Sequence, residues 1–369
     1  MVSKIGFLAE QLSSGAGTDR YARSLAESVS AHASVRVLTM AGARNETVLS
    51  DVRAVLPKPR FHPLAQLRVF WQVVLHMRDR EVIHCLIEHY SPGAALAGHM
   101  LGIPVTMTLH GTYAVPPRRG LKFLMMRYAY SRMPLVTSGS SATAQKTREV
   151  VPIGECRIIP NGVNFERFHI LPNTKRAQLM LTVGALKARK GVDLAIRAMA
   201  VLKDKYPMFR YAVVGDDAHD SFSHSVHELA ETSGLANRID FYQGISDTRL
   251  LELYNEAFAF VLAARETEDG AFEGFPMVYY EANACGTPVI TTTGFGSEYA
   301  IRDGENGFLV PPEDPGALAN ALEKLLDDSA RWSLMSEASR VQAADHTWDK
   351  IADVLMQFYD DVIMRHIRP

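Results

Sequence analysis

Two carboxylates, Glu273 and Glu281, bracket the run Gly274-Phe-Pro-Met-Val-Tyr-Tyr280, and an apolar segment, Thr287 to Thr291, follows the second. Pro276 suits the first turn of a helix, where its missing N–H costs nothing. A helix over 276–284 would carry Glu281 and leave Glu273 just ahead of its mouth. There the free backbone N–H groups of the residues after Pro276 face a bound anion. The chemistry this arrangement offers is a grip on an anionic ligand that also carries hydroxyls. The same residues read slightly better as a loop glutamate and a solvated helix glutamate, the common fate of Glu. Residue types alone leave both readings open.

Three further places carry residues suited to chemistry. A strand over Lys4–Ala9 runs into Ser13-Ser-Gly15-Ala-Gly17-Thr-Asp-Arg20 and then a helix with Tyr21, Leu25 and Val29 on one stripe, the layout of a phosphate cradle. Arg20 stands where a dinucleotide fingerprint has its third glycine, and the next strand, Val35–Met40, ends without the acidic residue that holds an NAD ribose. That excludes a nicotinamide dehydrogenase. His110 closes the strand Pro104–Leu109 ahead of Gly111, at a carboxyl edge where open α/β sheets bind ligands; it reads with equal weight as structural and as functional. Asp216 and Asp217 follow Gly215 as loop acids, and no third ligand is spaced for Mg²⁺, so no metal is expected.

The elements that must position these residues alternate strand and helix along the chain, the rhythm of parallel, doubly wound α/β sheets. At 369 residues the chain exceeds what one core sustains, which predicts two domains with a boundary near residue 172. The charge agrees. Residues 1–172 hold 20 Lys+Arg against 11 Asp+Glu, or +9, and the rest hold 19 against 30, or −11, summing to the −2 of the whole. A basic half points to an anionic surface or partner. Between His89 and Arg148 there is no acidic residue, and across 116–134 Arg118, Arg119, Lys122, Arg127 and Arg132 alternate with leucines, methionines and tyrosines. That segment reads as an element for an anionic membrane surface, or as a helix packed on its sheet with a basic outer face. The three cysteines, Cys85, Cys156 and Cys285, are few and odd in number, which predicts reduced thiols in a cytoplasmic setting. The first residues lack a signal-peptide core, and no apolar run reaches membrane-spanning length. No nucleic-acid partner is expected.

Taken together, Asn161-Gly-Val-Asn164, Gly184…Lys190-Gly191, Glu273…Glu281-Ala-Asn-Ala-Cys-Gly-Thr-Pro-Val-Ile290, Glu298 and Asp303-Gly-Glu-Asn-Gly-Phe-Leu-Val-Pro resemble the retaining glycosyltransferases of the GT-B fold, family 4. The resemblance is dense over 158–315 and loose before residue 100. It implies two Rossmann-like domains facing across a cleft, 1–172 and 173–347, with a final helix over 348–369 returning to the first. It further implies a nucleoside diphosphate sugar as donor, UDP ahead of GDP, and a lipid-linked or polysaccharide glycan as acceptor. No cofactor or metal would be needed.

Position by position, the resemblance assigns Glu281 to the ribose hydroxyls and Glu273 to hydroxyls of the transferred sugar. Backbone groups from Gly274 through Phe275, Pro276, Met277 and Val278 would hold the distal phosphate. Lys190 would neutralise the diphosphate, Gly15 and Gly17 would let backbone approach it, and His110 would face the sugar. One position departs: the family commonly has arginine directly after the glycine at 184, and here it is Ala185. Lys187, Arg189 or Arg20 would have to compensate. A sugar-nucleotide epimerase or phosphorylase on the same plan, and a non-catalytic homologue, are the rival readings.

Overall fold

A computed structural model of the chain describes residues 2–15 and 17–367. It divides into two units, one of Met1–Gly162 with Trp348–Pro369 and one of Val163–Thr347.

The first unit runs β1 (Lys4–Leu8), α1 (Gly17–Val29), β2 (Ser34–Met40), β3 (Val52–Leu56), α2 (Pro63–Met77), β4 (Val82–Cys85), α3 (Ser91–Leu101), β5 (Val105–Leu109), α4 (Leu121–Ser131), β6 (Leu135–Ser138), α5 (Ser141–Arg148) and β7 (Glu155–Ile158). Its seven strands lie in the order β3-β2-β1-β4-β5-β6-β7, all parallel. Central strands of such a sheet are covered on both faces, so even their polar residues are buried. Accordingly β4 and β5 are buried at every position. The order reverses between β1 and β4, and the crevice at that switch point opens at the strands' carboxyl ends.

The second unit repeats the plan with β8 (Leu179–Val183), α6 (Val192–Leu202), β9 (Arg210–Val214), α7 (Ser221–Thr232), β10 (Ile239–Tyr242), α8 (Asp247–Glu256), β11 (Ala259–Leu262), α9 (Val278–Ala284), β12 (Val289–Thr292), α10 (Ser297–Ala300), β13 (Gly307–Val310), α11 (Pro315–Leu326) and α12 (Ser329–Ala344). Its parallel order is β10-β9-β8-β11-β12-β13, with the switch between β8 and β11. The Asp303–Gly307 motif is a turn that lets β13 join this sheet. Asn306 accepts from Arg302 N at 2.7 Å and donates to Ala300 O at 2.9 Å, and a Cβ on Gly307 would meet Val289 O at 2.0 Å.

The chain then re-enters the first unit as α13 (Trp348–Ile367). Tyr359 of this helix hydrogen-bonds Nδ1 of the buried His84 at 2.7 Å, and Trp348 packs against Gly162, where any side chain would strike its ring. The division at Gly162/Val163 corrects the boundary expected near 172. Residues 163–172 fold onto the second unit: Phe168 is buried there, Leu171 N donates to Asn255 Oδ1 at 2.9 Å, and Asn255 Nδ2 donates to His169 O at 3.0 Å.

Candidate functional site

The switch point of the second sheet brings two distant stretches together. The chain leaves β8 through Gly184 and reaches Lys190; it leaves β11 through Ala263, Ala264 and Arg265 toward Glu273. Lys190 Nζ donates to Glu273 Oε2 at 3.0 Å, and Arg189 Nε lies 2.6 Å from Oε1 of the same carboxylate. All three are largely withdrawn from water, Glu273 most of all. Burial pushes the Glu273 carboxyl up, but Lys190 and Arg189 outweigh it and hold the group below the usual carboxylate range. The result is a buried, ionised carboxylate between two cations.

The backbone that presents Lys190 is shaped for close approach. Gly184 has φ +142°, and a Cβ there would sit 3.0 Å from Lys190 Cε, so the lysine lies directly over the turn. Gly191, at φ +65°, abuts the end of β11, where a Cβ would come within 1.9 Å of Ala263 O.

Arg265 fastens this turn to the β11 exit. Its backbone N–H donates to Arg189 O at 3.0 Å and its Nε to Ala188 O at 2.8 Å. Its two terminal nitrogens meet both oxygens of Asp193 at 3.0 and 2.9 Å. A bidentate guanidinium–carboxylate pair fixes orientation as well as distance. Sequence reasoning missed Arg265. A charged residue directly after a buried strand is its only local signal.

Glu281 is buried in α9, and its Oε2 accepts from Tyr254 Oη at 2.9 Å. Tyr254 comes from α8 and was also missed, because one tyrosine in an amphipathic helix carries no mark of function. The helix expected from Pro276 begins at Val278 and spans seven residues, since Pro276 and Met277 serve as acceptors for its opening turn. The side chains of Phe275 and Val278 point into the core, and Phe275 packs against Tyr280 at 5.5 Å between ring centroids. Only backbone is therefore left at these positions to meet a ligand. Of the three compensators for Ala185, Arg189 lies on Glu273, whereas Lys187 turns toward Asp220 at 3.6 Å.

Arg20, Gly15, Gly17 and His110 belong to the first unit. Gly17 opens α1 at the carboxyl edge of β1, with Gly15 exposed ahead of it and Arg20 in its first turn. His110 follows β5 and lies edge-on to Tyr21, 4.8 Å between centroids. Its Nε2 lies 2.9 Å from Leu86 O, and because a carbonyl only accepts, Nε2 carries the proton and Nδ1 the lone pair. Burial lowers the imidazole to about 4, so it is neutral at neutral pH. Its backbone N–H donates to Glu88 Oε1 at 2.6 Å, and burial raises that carboxyl to about 7. Among the described residues no group of three or more His, Cys, Asp or Glu is placed to hold a metal ion.

The family model for glycosyl transferases group 1 matches residues 164–342, and that for Glycosyltransferase Family 4 matches residues 15–167. A D-inositol 3-phosphate glycosyltransferase of Acidothermus cellulolyticus is 27% identical over 345 residues, covering 83% of this chain and 74% of that protein. The Corynebacterium diphtheriae protein of that name is 31% identical over 56% of this chain and 51% of its own, so the chain spans about half the length of several such relatives. Among solved structures, HepE of Anabaena in complex with UDP superposes with a TM-score of 0.78 at 18% identity, over 97% of this chain and all of that one. Sucrose-phosphate synthase of Thermosynechococcus elongatus gives 0.77 at 22% identity, over 98% of this chain and 100% of that one. Likeness at such identities establishes the fold, which is the GT-B fold expected from the sequence. With two family models running between them from residue 15 to residue 342, the chain belongs to the group 1 glycosyltransferases.

Proposed function

We propose that this glycosyltransferase takes a hexose from a nucleoside diphosphate sugar, UDP ahead of GDP, and passes it with retention of anomeric configuration to a lipid-linked or polysaccharide glycan. The observation that carries the donor reading is the buried Glu273 held between Lys190 and Arg189 at the switch point of the second sheet. An ionised carboxylate only accepts hydrogen bonds, which suits sugar hydroxyls, and two adjacent cations suit a diphosphate. Solved structures of HepE with UDP and with UDP-glucose support the same donor class.

In this reading Lys190, with Arg189 beside it in place of the arginine missing at 185, takes the charge that develops as the bond from anomeric carbon to phosphate oxygen breaks. The acceptor hydroxyl forms its new bond on the same face, and its proton passes to the leaving phosphate oxygen. Glu273 orients the sugar and Glu281 accepts from the ribose. Backbone of Gly274–Val278 meets the distal phosphate. His110, neutral and with Nδ1 unprotonated, receives a sugar hydroxyl. No metal is required, because these side chains supply the positive charge.

The test is a thermal-shift screen of nucleotide sugars, followed by diphosphate release with and without candidate acceptors. A donor that raises the melting temperature and yields diphosphate only with acceptor supports the reading. Donor consumption without acceptor would favour an epimerase, and no response to any nucleotide would favour a non-catalytic homologue.

A further inference from the structure

The first unit carries an apolar face that its own sheet does not cover. Helix α2 has two apolar stripes. One, with Val69, Val73 and Met77, is buried; the other, with Leu64, Leu67, Trp71 and Leu75, faces outward at helical spacing. Trp71 is 52% exposed and Leu64 66%. Leu96 and Met100 of α3 and Leu121 and Leu124 of α4 extend the exposed apolar surface, Leu124 being 60% exposed. Soluble monomers rarely leave so many large apolar side chains adjacent and bare.

A groove of about 490 Å³ runs between these three helices, walled by Leu67, Leu96, Leu124, Met125 and Tyr128. Its floor is tight. At Gly93 a Cβ would stand 2.5 Å from Gln66 O and 2.8 Å from Val69 Cβ, so α2 and α3 meet backbone to side chain. Gln66, the amide in the wall, has both N–H donors engaged within the unit. Its Nε2 donates to Arg60 O and His89 O at 2.9 and 2.8 Å, and its Oε1 accepts from Gly93 N at 2.9 Å. The other side chains that wall the groove offer mainly hydrocarbon.

Charge identifies the occupant. Residues 52–78 and 89–148, which include all of α2, α3 and α4, contain no Asp or Glu. Arg60, Arg68, Arg118, Arg119, Arg127 and Arg132 are exposed there, and none of them has a carboxylate partner among the described residues. A second copy of the chain on this face would bring two such cation sets together, which like-charge repulsion opposes. Nucleic acid would satisfy the charge but has no use for an aliphatic groove. A bilayer with anionic headgroups satisfies both, since the arginines meet the headgroups while the leucines and Trp71 enter the acyl boundary.

We propose that the α2–α3–α4 face docks on an anionic phospholipid bilayer and that its groove takes up one acyl chain. This extends the segment 116–134 singled out from sequence to a three-helix surface, and it bears on the lipid-linked acceptor of the proposed function while standing independently of the donor.

Trp71 supplies the readout, because Trp348 is buried and Trp332 is engaged, its Nε1 bonded to Phe258 O at 2.7 Å. The experiment mixes the full chain, without donor or acceptor, with vesicles of equal parts phosphatidylglycerol and phosphatidylcholine, and with vesicles of phosphatidylcholine alone. The expected result is co-sedimentation with the anionic vesicles only, weakened by salt, with fluorescence quenched when the acyl chains are brominated. Leu67→Glu with Leu124→Glu should weaken binding at least ~10-fold, and Arg68→Ala with Arg127→Ala ~30-fold, about 1 kcal/mol per cation. Circular dichroism and a cooperative thermal melt show whether each variant is folded, and the arginine pair serves if the leucine pair is not. Absence of binding to anionic vesicles, binding without quenching of Trp71, or a dimer dissolved by the glutamate variants would each overturn the proposal. A UDP response that persists in any of these cases leaves the donor reading standing.

Discussion

Lys190 and Glu273, 83 positions apart in the chain, meet at 3.0 Å because β8 and β11 are neighbours in the second sheet and their exits converge. Removing either partner leaves a largely buried charge poorly compensated, which costs about 3–5 kcal/mol. Lys190→Ala is expected to lower the unfolding free energy by about 3 kcal/mol and turnover by ~100-fold or more. Glu273→Gln keeps the shape, so it should cost less stability and a comparable share of activity. Denaturant melts and diphosphate-release rates check both. Acid should act in the same direction as Glu273→Gln. The folded value of this carboxyl lies below its unfolded one, so its stabilisation is present above the usual carboxylate range and is lost as pH falls through the folded value.

Arg265 touches no proposed substrate group; it positions the Lys190 turn. Its pair with Asp193 predicts a coupling energy of about 1–3 kcal/mol in a double-mutant cycle with Asp193→Ala. Arg265→Lys keeps the charge but loses the bidentate fork, and should lower kcat while leaving the affinity for free UDP within about 2-fold. An unchanged kcat would show that the staple serves stability alone.

Gly191→Ala tests the same turn from the backbone side. Its φ of +65° and the Ala263 carbonyl oxygen, 1.9 Å from where the Cβ would sit, leave no room without moving β11 or the turn. A loss of about 2–3 kcal/mol in chemical denaturation is expected, larger than that of alanine at Gly270, whose neighbourhood is open.

The first unit carries a pH signature of opposite parts. Burial raises Glu88 from 4.5 to about 7, so the folded state binds its proton more tightly and stability falls as pH climbs through that window. His110, lowered from 6.5 to about 4, removes stability as pH falls from 6.5 toward 4. Glu88→Gln, which still accepts from His110 N, should therefore stabilise the protein at pH 8 by up to about 3 kcal/mol and have no effect near pH 4.5. The His110 ring resonances in NMR should not titrate between pH 5 and 8.

Much of this architecture is legible in the sequence because central parallel strands are short apolar runs between polar turns. The strands read from sequence over Lys4–Ala9, Val35–Met40 and Pro104–Leu109 lie within one residue of the observed β1, β2 and β5. Helix α2 and strand β3 were not foreseen. The helix is apolar on two stripes, so no single face stands out, and the strand is an edge of the sheet with arginine in it and only Leu56 buried. At the candidate site, Glu273, Glu281 and Lys190 stand in recognisable motifs, whereas Arg265 and Tyr254 gain their roles only from what the fold sets opposite them. Arg189, one of three residues named to compensate for Ala185, is found on Glu273 beside Lys190.

Tyr254→Phe deletes one hydroxyl and leaves Glu281 Oε2 without that donor. A cost of about 1–2 kcal/mol is expected in stability, with a several-fold weaker affinity for the nucleoside part of the ligand. Comparing uridine with UDP across the wild type and this variant checks it: the ratio of losses should be equal, since the diphosphate is held elsewhere.

The claim on which the account turns is that Lys190, Glu273 and Glu281 form one nucleoside diphosphate site. Calorimetric titration of UDP and GDP into the wild type, Lys190→Ala and Glu281→Gln addresses it most directly. The account predicts saturable binding of at least one nucleotide to the wild type at a single site, weakened ~10-fold or more, about 1.4 kcal/mol, in each variant. Equal affinity in all three proteins, or no binding of either nucleotide to the wild type, would contradict it.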